Sequence, residues 1–249
     1  MHDNRWLFGV HRAPEALLRM FCFPHAGGGP ALFGRWWREL PREVEVCPVH
    51  LPGRWSRFRE EPLRDLVAAS RLFVENTFQN GADLPFVLYG HSLGGLLAYE
   101  ATLRLREAGW RSPCALIVSG RRPPSARLDR PALHRLPEDA FISAMARYYE
   151  PIDPALLTDA ETRAILMRAL RADMQMYETY HAAPAPPLDI PLVVVSGHAD
   201  TIAHPSTMEG WGQYTTAPVR MHVVPGGHYF PRNSKPLMSY LSRVLRELL

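Results

Sequence analysis

Short apolar runs alternating with helix-length amphipathic segments predict an α/β fold with a mostly parallel central sheet flanked by helices. Three observations carry that prediction. Runs such as residues 114–119 and 192–196 are continuously apolar, as strands covered on both faces are. Strand-like and helix-like segments alternate along most of the chain, which calls for right-handed crossovers between parallel strands. Gly90-His91-Ser92-Leu93-Gly94 matches G-x-S-x-G, with the apolar run Phe86-Val87-Leu88-Tyr89 before it and an apolar-periodic segment, residues 96–105, after it.

In chain order, residues 5–10 read as an N-terminal edge strand and residues 17–23 as a stronger strand. The latter ends in Pro24-His25-Ala26-Gly27-Gly28-Gly29-Pro30, a turn rich in backbone N–H groups. Residues 31–40 read as a short helix and residues 44–49 as a strand leading into Leu51-Pro52-Gly53-Arg54. Over residues 63–78, Leu63, Leu66, Val67, Ser70, Phe73, Val74 and Phe78 share one helical face. Strands follow at 86–89, 114–119, 192–196 and 221–224, and a helix at 234–248 closes the chain.

The alternation breaks between Gly120 and Pro191. That stretch shows no convincing strand but two helical patterns, residues 137–149 and 159–181, with Asp159 where an N-cap belongs. Pro123-Pro124 and Pro184-Ala185-Pro186-Pro187 bracket it. The organisation expected is a core of residues 1–120 and 191–249 with a helical lid, 121–190, inserted in it. The plainer alternative is a helical pair that only covers the sheet.

Length and composition bound the rest. The chain has 249 residues, 47% hydrophobic and 21% charged, which suits one large soluble domain. Met1-His2-Asp3-Asn4-Arg5-Trp6 carries no signal-peptide-like apolar stretch, and no run approaches membrane-spanning length, so a cytoplasmic protein without a membrane partner is expected. Cys22, Cys47 and Cys114 form an odd set in or beside strand-like runs, which argues for buried thiols. No Cys/His spacing suggests a metal site. The net charge of +3, without a basic run interleaved with aromatics, does not argue for nucleic acid. Nearly all the basic residues are Arg, Lys235 being the only Lys, a bias that reads as a GC-rich coding sequence. Arg35, Arg38, Arg57, Arg59, Arg121 and Arg122 read as a solvated face, with contact to an acidic partner as the sharper alternative.

A serine hydroxyl needs a base, and the base an orienting acid. In a sheet of this kind both belong in loops after later strands, in the order Ser, acid, His. Gly197-His198-Ala199-Asp200 follows one strand and Pro225-Gly226-Gly227-His228 the next, which gives Ser92, Asp200 and His228. His198 and His204 lie in the acid loop itself, His25 and His50 precede the serine, and Asp189 precedes its strand. For the oxyanion, the backbone N–H of Leu93 and one from the loop after an early strand are needed, and Ala26 is the candidate there. That loop lacks the Lys and Ser/Thr of a phosphate-binding P-loop.

Here the chain resembles a known family, the stand-alone type II thioesterases that accompany polyketide synthases and nonribosomal peptide synthetases. The resemblance rests on Phe23-Pro24-His25-Ala26-Gly27-Gly28, Leu51-Pro52-Gly53-Arg54, Gly90-His91-Ser92-Leu93-Gly94-Gly95, Gly197-His198-Ala199-Asp200 and Gly226-Gly227-His228-Tyr229-Phe230. Leu93, Gly95 and Tyr229-Phe230-Pro231 depart slightly from the family's usual residues. The resemblance implies an α/β-hydrolase fold and hydrolysis of acyl groups from the phosphopantetheine thiol of acyl or peptidyl carrier proteins. It implies no cofactor, the substrate itself carrying the phosphopantetheine. An esterase or lipase acting on free esters or acyl-CoA uses the same residues, and a catalytically silent relative is a third reading. Arg54 is read as pairing inward with a carboxylate to hold its loop, with facing a partner as the alternative. Met145, Tyr148, Met174 and Tyr177 are read as insert core, with the lining of an acyl chamber as the alternative.

Overall fold

The computed structural model describes residues 4–10, 13–79, 81–128, 130–232 and 234–249. Six strands form one sheet: β1 (Leu18–Phe23), β2 (Val44–Pro48), β3 (Phe86–His91), β4 (Ala115–Ser119), β5 (Leu192–Gly197) and β6 (Val219–Val224). Their order is β2-β1-β3-β4-β5-β6, and every pairing is parallel. Alternate residues feed two separate apolar layers. Phe21, Phe23, Leu88 and Val118 face α1 (Leu66–Thr77) and α2 (Leu93–Glu107). Met20, Cys22, Val87 and Ile117 face the opposite layer, which contains Leu237 and Leu241 of the C-terminal helix. Cys22 and Cys47 sit on neighbouring strands but in opposite layers, which suits free buried thiols rather than a bridge. Among the described residues no helix is long and apolar enough to cross a membrane.

The stretch between β4 and β5 holds α3 (Glu138–Tyr148), the single turn α4 (Ala155–Thr158) and the long α5 (Ala160–Thr179). The Asp159 carboxylate caps α5 by accepting from the Thr162 amide at 2.7 Å. Phe141, Met145, Met167, Leu170 and Met174 pack into the same apolar cluster as one face of the sheet. The chain closes with α6 (Lys235–Arg246), capped by Ser234.

Two expected elements differ. Residues 31–40 form two short 3₁₀ turns, Pro30–Phe33 and Trp36–Arg38, instead of a helix. Gly34 ends the first turn, and the aromatic rings of Phe33 and Trp36 pack together and against Tyr89. The N-terminal segment lies along the β2 edge but makes only one bridge, Leu7 to Val49, with hydrogen bonds from Phe8 to Pro48 and from His50 to Trp6. The first three residues of the Met1–Trp6 stretch fall outside the described residues.

The strand order places a reversal between β1 and β3, where the chain departs in opposite directions and a crevice opens at the C-terminal strand ends. Phe23 pairs with Gly90 there, so the turns after the two strands are neighbours. Space is short. A Cβ on Gly90 would lie 2.0 Å from the Gly94 carbonyl oxygen, and one on Gly94 would lie 2.2 Å from that of Phe23. Gly212, in contrast, faces open space with an ordinary backbone. Gly94→Ala should therefore cost about 3 kcal/mol or more, since backbone must move, whereas Gly212→Ala should stay within about 0.5 kcal/mol. Urea unfolding followed by circular dichroism measures both, and equal midpoints would contradict the crowding argument.

Candidate active site

Ser92 stands at the turn between β3 and α2 with φ 55° and ψ −118°, one of two non-glycine residues described with positive φ. A left-handed serine is strained, and the surrounding hydrogen bonds over-determine it. Its amide donates to the Ser119 carbonyl at 2.9 Å, and its own carbonyl accepts from Gly95 at 2.9 Å. The strain lifts Oγ out of the sheet edge toward the last loop. There His228 Nε2 lies 3.0 Å from Ser92 Oγ, and His228 Nδ1 lies 2.8 Å from Asp200 Oδ2.

Asp200 is held by more than the histidine. Its Oδ1 accepts the amides of Ile202 and Ala203, each at 2.8 Å. Burial pushes this carboxyl up, but the His228 hydrogen bond and charge, with those two amides, outweigh burial and hold it below its ordinary value. The acid and base loops are stitched together: Ala199 donates to the Gly226 carbonyl at 3.0 Å, and the Gly226 amide donates to His198 Nδ1 at 3.1 Å. The structure thus brings Ser92, Asp200 and His228 into one hydrogen-bonded line. His198 belongs to the stitching and His204 caps the short turn that follows.

Ala26 and Leu93 both border the small pocket over Ser92, together with His25, Met145, Tyr149, Met174, Tyr177 and Tyr229. Leu93 is the first residue of α2, so its amide has no acceptor within the helix and lies at the positive end of the helix dipole. Met145, Met174 and Tyr177 come from α3 and α5, so the insert roofs the serine. Tyr148 packs at the margin of the core cluster.

Arg54 turns inward, as its reading from sequence expects. Its partner is Asp173 on α5: Nη1 and Nη2 reach Oδ2 and Oδ1, both at 2.6 Å, and Asp173 is fully buried. Asp173 Oδ2 also accepts the Gly27 amide at 2.7 Å, and Arg54 Nη1 reaches the Gly28 carbonyl at 3.3 Å. One carboxylate therefore fixes the loop that carries Ala26 to the helical insert. Asp173 was not singled out from sequence. Its signal is a carboxylate spaced three residues beyond Leu170 on the apolar face of α5. Two of the arginines assigned to a solvated face are buried instead. Arg57 pairs with Glu60 and donates to the His50 carbonyl, and Arg121 lies against Tyr177.

Three imidazoles cluster here. The His91 ring lies 5.1 Å from that of His228 and 6.1 Å from that of His25. His91 is 1% exposed, and burial, then the neighbouring His228 and His25, hold its pKa well below the ordinary value. Burial first, then Arg232, His228 and Arg54, lower His25 to about 3.

The thioesterase domain family matches residues 18–246. Among curated relatives, the gramicidin S biosynthesis protein GrsT of Aneurinibacillus migulanus is 32% identical over 247 residues, 99% of this chain and 96% of its own length. Thioesterase PikA5 of Streptomyces venezuelae is 32% identical over 225 residues, 90% of this chain and 79% of its own. Among solved structures, the RedJ thioesterase from the prodiginine pathway of Streptomyces coelicolor is 36% identical, with a TM-score of 0.83 over 92% of this chain and 85% of that one. YbtT, a type II thioesterase from the yersiniabactin NRPS/PKS pathway, is 26% identical with a TM-score of 0.83, covering 97% of each chain.

Two measurements check the electrostatics. Asp173→Leu strands the buried Arg54 guanidinium and should cost about 3–5 kcal/mol in urea unfolding, whereas Arg54→Met with Asp173→Leu should recover more than half of that loss. His91 has a depressed folded pKa, so its contribution to stability is complete above the unfolded value of about 6.5. Below that value the unfolded chain binds the proton that the folded one refuses. Stability should then fall as pH drops, by up to about 1.4 kcal/mol per pH unit from this residue. His91→Gln should flatten the slope between about pH 6 and 4 by one proton. An unchanged slope would mean that His91 is already charged in the folded protein.

Proposed function

The chain belongs to the thioesterase family, and on that premise we propose that it hydrolyses acyl groups from the phosphopantetheine thiol of acyl or peptidyl carrier proteins, with Ser92, His228 and Asp200 as its triad. The observation that carries the catalytic assignment is the continuous line from Ser92 Oγ through His228 to Asp200, at 3.0 and 2.8 Å, with a strained serine under the insert. Support for the substrate comes from relatives of nearly the same length, among them one described as a type II thioesterase of an NRPS/PKS pathway. Removal of aberrant or stalled chains from such assembly lines is the role that fits a stand-alone enzyme of this kind.

The chemistry follows from the geometry. Ser92 Oγ bonds to the thioester carbonyl carbon as His228 Nε2 takes its proton. The amides of Leu93 and Ala26 receive the oxyanion, in a pocket walled mostly by apolar and aromatic side chains. Asp200 keeps the imidazole in the orientation that leaves Nε2 facing the serine, and stabilises the imidazolium. Collapse breaks the C–S bond, and His228 returns its proton to the departing thiolate. A water molecule then loses a proton to His228 and adds to the acyl-serine ester. The second collapse breaks the bond to Oγ, restores the serine hydroxyl and frees the carboxylic acid. Every proton and bond is handled by groups of this chain and by water, so the proposal calls for no metal or redox cofactor. The segment between β4 and β5 serves as a lid in this reading, since Met145, Tyr149, Met174 and Tyr177 from it wall the pocket above Ser92.

Acyl-carrier proteins of defined chain length, followed by intact-protein mass spectrometry, test the assignment. The native protein should remove the acyl mass, while Ser92→Ala should slow turnover by about 10⁶-fold and Asp200→Asn by about 10⁴-fold. Turnover by Ser92→Ala near the native rate would sink the triad. A kcat/KM higher on free esters than on acyl carriers would favour the esterase reading.

A further inference from the structure

The pocket over Ser92 leaves only about 10 Å³ free, so an acyl group of any length needs room beyond its walls. One wall residue, Tyr177, also borders a much larger cavity of about 840 Å³ on its other side. That cavity lies between the loop after β4, the C-terminal half of α5 and Tyr214. Its described lining includes three arginines, Arg121, Arg127 and Arg130, against a single carboxylate, Glu178.

Glu178 is already committed. Its oxygens accept from Arg130 and from His134 Nδ1, each at 2.6 Å, and from the amides of Leu133 and His134. Arg121 has no such partner. It is 5% exposed, forms no ion pair among the described residues, and its Nε is buried without a hydrogen-bond acceptor. A buried guanidinium without a carboxylate is costly, and Tyr177, whose ring lies 4.3 Å from it and whose hydroxyl is hydrogen-bonded to it, offsets that cost only in part. The backbone of Arg121 is pinned: Trp211 Nε1 donates to its carbonyl at 2.6 Å, and Gly95 leaves just enough room for its Cβ. The guanidinium is thus held against the partition between the serine pocket and the cavity.

We propose that the cavity behind Tyr177 receives the distal end of the acyl chain and that Arg121 binds a carboxylate carried there, making carboxyacyl thioesters substrates. The inference rests on the thioesterase reading above and adds a substrate class to it. Passage requires the Tyr177 ring to swing off Arg121, which exchanges a cation–π contact for a full negative charge. An arginine suits a carboxylate because its planar fork meets both oxygens.

The test compares N-acetylcysteamine thioesters in pairs of matched length: glutaryl with hexanoyl, adipoyl with heptanoyl, suberoyl with nonanoyl. For at least one pair the native protein should show kcat/KM on the carboxylated member equal to or above that on the neutral one. Arg121→Met should lower that ratio about thirtyfold while leaving the neutral substrate within about threefold, and Arg121→Lys should fall between. Native discrimination of more than a hundredfold against every carboxylated member would overturn the proposal without any variant. So would an Arg121→Met protein with an unchanged ratio, or one that loses both substrates equally. If free adipate competed as tightly as the adipoyl thioester binds, the site would belong to a diffusible acid and the acyl assignment would fall. Hydrolysis of neutral thioesters alone would leave the thioesterase reading standing, whereas no turnover of any thioester or acyl carrier would remove that reading and this one together.

Discussion

The Arg54–Asp173 ion pair is the constraint on which the arrangement above the sheet depends. Two fully desolvated charges meet through two bonds of 2.6 Å, and the spare capacity of the carboxylate goes to the Gly27 amide. Such a pair adds little net stability over an apolar core, because desolvation consumes most of the attraction. What it supplies is a specific geometry. Three pieces distant in sequence converge on one carboxylate: the loop after β1, the loop after β2 and helix α5. The loop bearing Ala26 and the roof over Ser92 therefore cannot move independently without exposing or stranding a buried charge. A roof hinged only by prolines would have no such coupling to the loop that carries Ala26.

That coupling also explains which parts of the molecule were legible in the sequence. Continuous apolar runs reported the buried strands, and the loops after them reported where Ser92, Asp200 and His228 stand. Position relative to a strand end selects one histidine from eleven. The misses have a common cause. Asp173 and Arg121 are charged residues whose burial depends on partners far along the chain, which no local spacing reveals. Asp173 sits on the apolar side of its helix, which is a readable anomaly; Arg121 follows a strand directly and carries no comparable signal. The segment around Gly34 misled for a different reason. Its apolar spacing fits a helix, but aromatic packing against Tyr89 shapes it into tight turns.

The glycines at the serine turn show how a sequence motif translates into distances. Gly90 and Gly94 are required by approach of backbone to backbone, not by flexibility, since neither has a positive φ. Close contact between the turn and the end of β1 is what brings the Leu93 amide and the His25–Gly28 loop to the same side of the serine. The motif is thus a packing requirement of the β1–β3 reversal, and the strained Ser92 is its product.

The histidine cluster carries the electrostatic logic one step further. In the mechanism proposed above, the general base accepts a proton as the tetrahedral adduct forms, and any positive charge nearby opposes that step. Two imidazoles lie close to His228, yet each is held neutral: His91 by burial beneath it, and His25 by burial and by Arg232. Of these three rings, His228 is the one hydrogen-bonded to a carboxylate. The same low-dielectric surroundings that forbid protonation of His91 and His25 strengthen the attraction between Asp200 and a protonated His228. The proton goes to the one whose second nitrogen has an anion waiting.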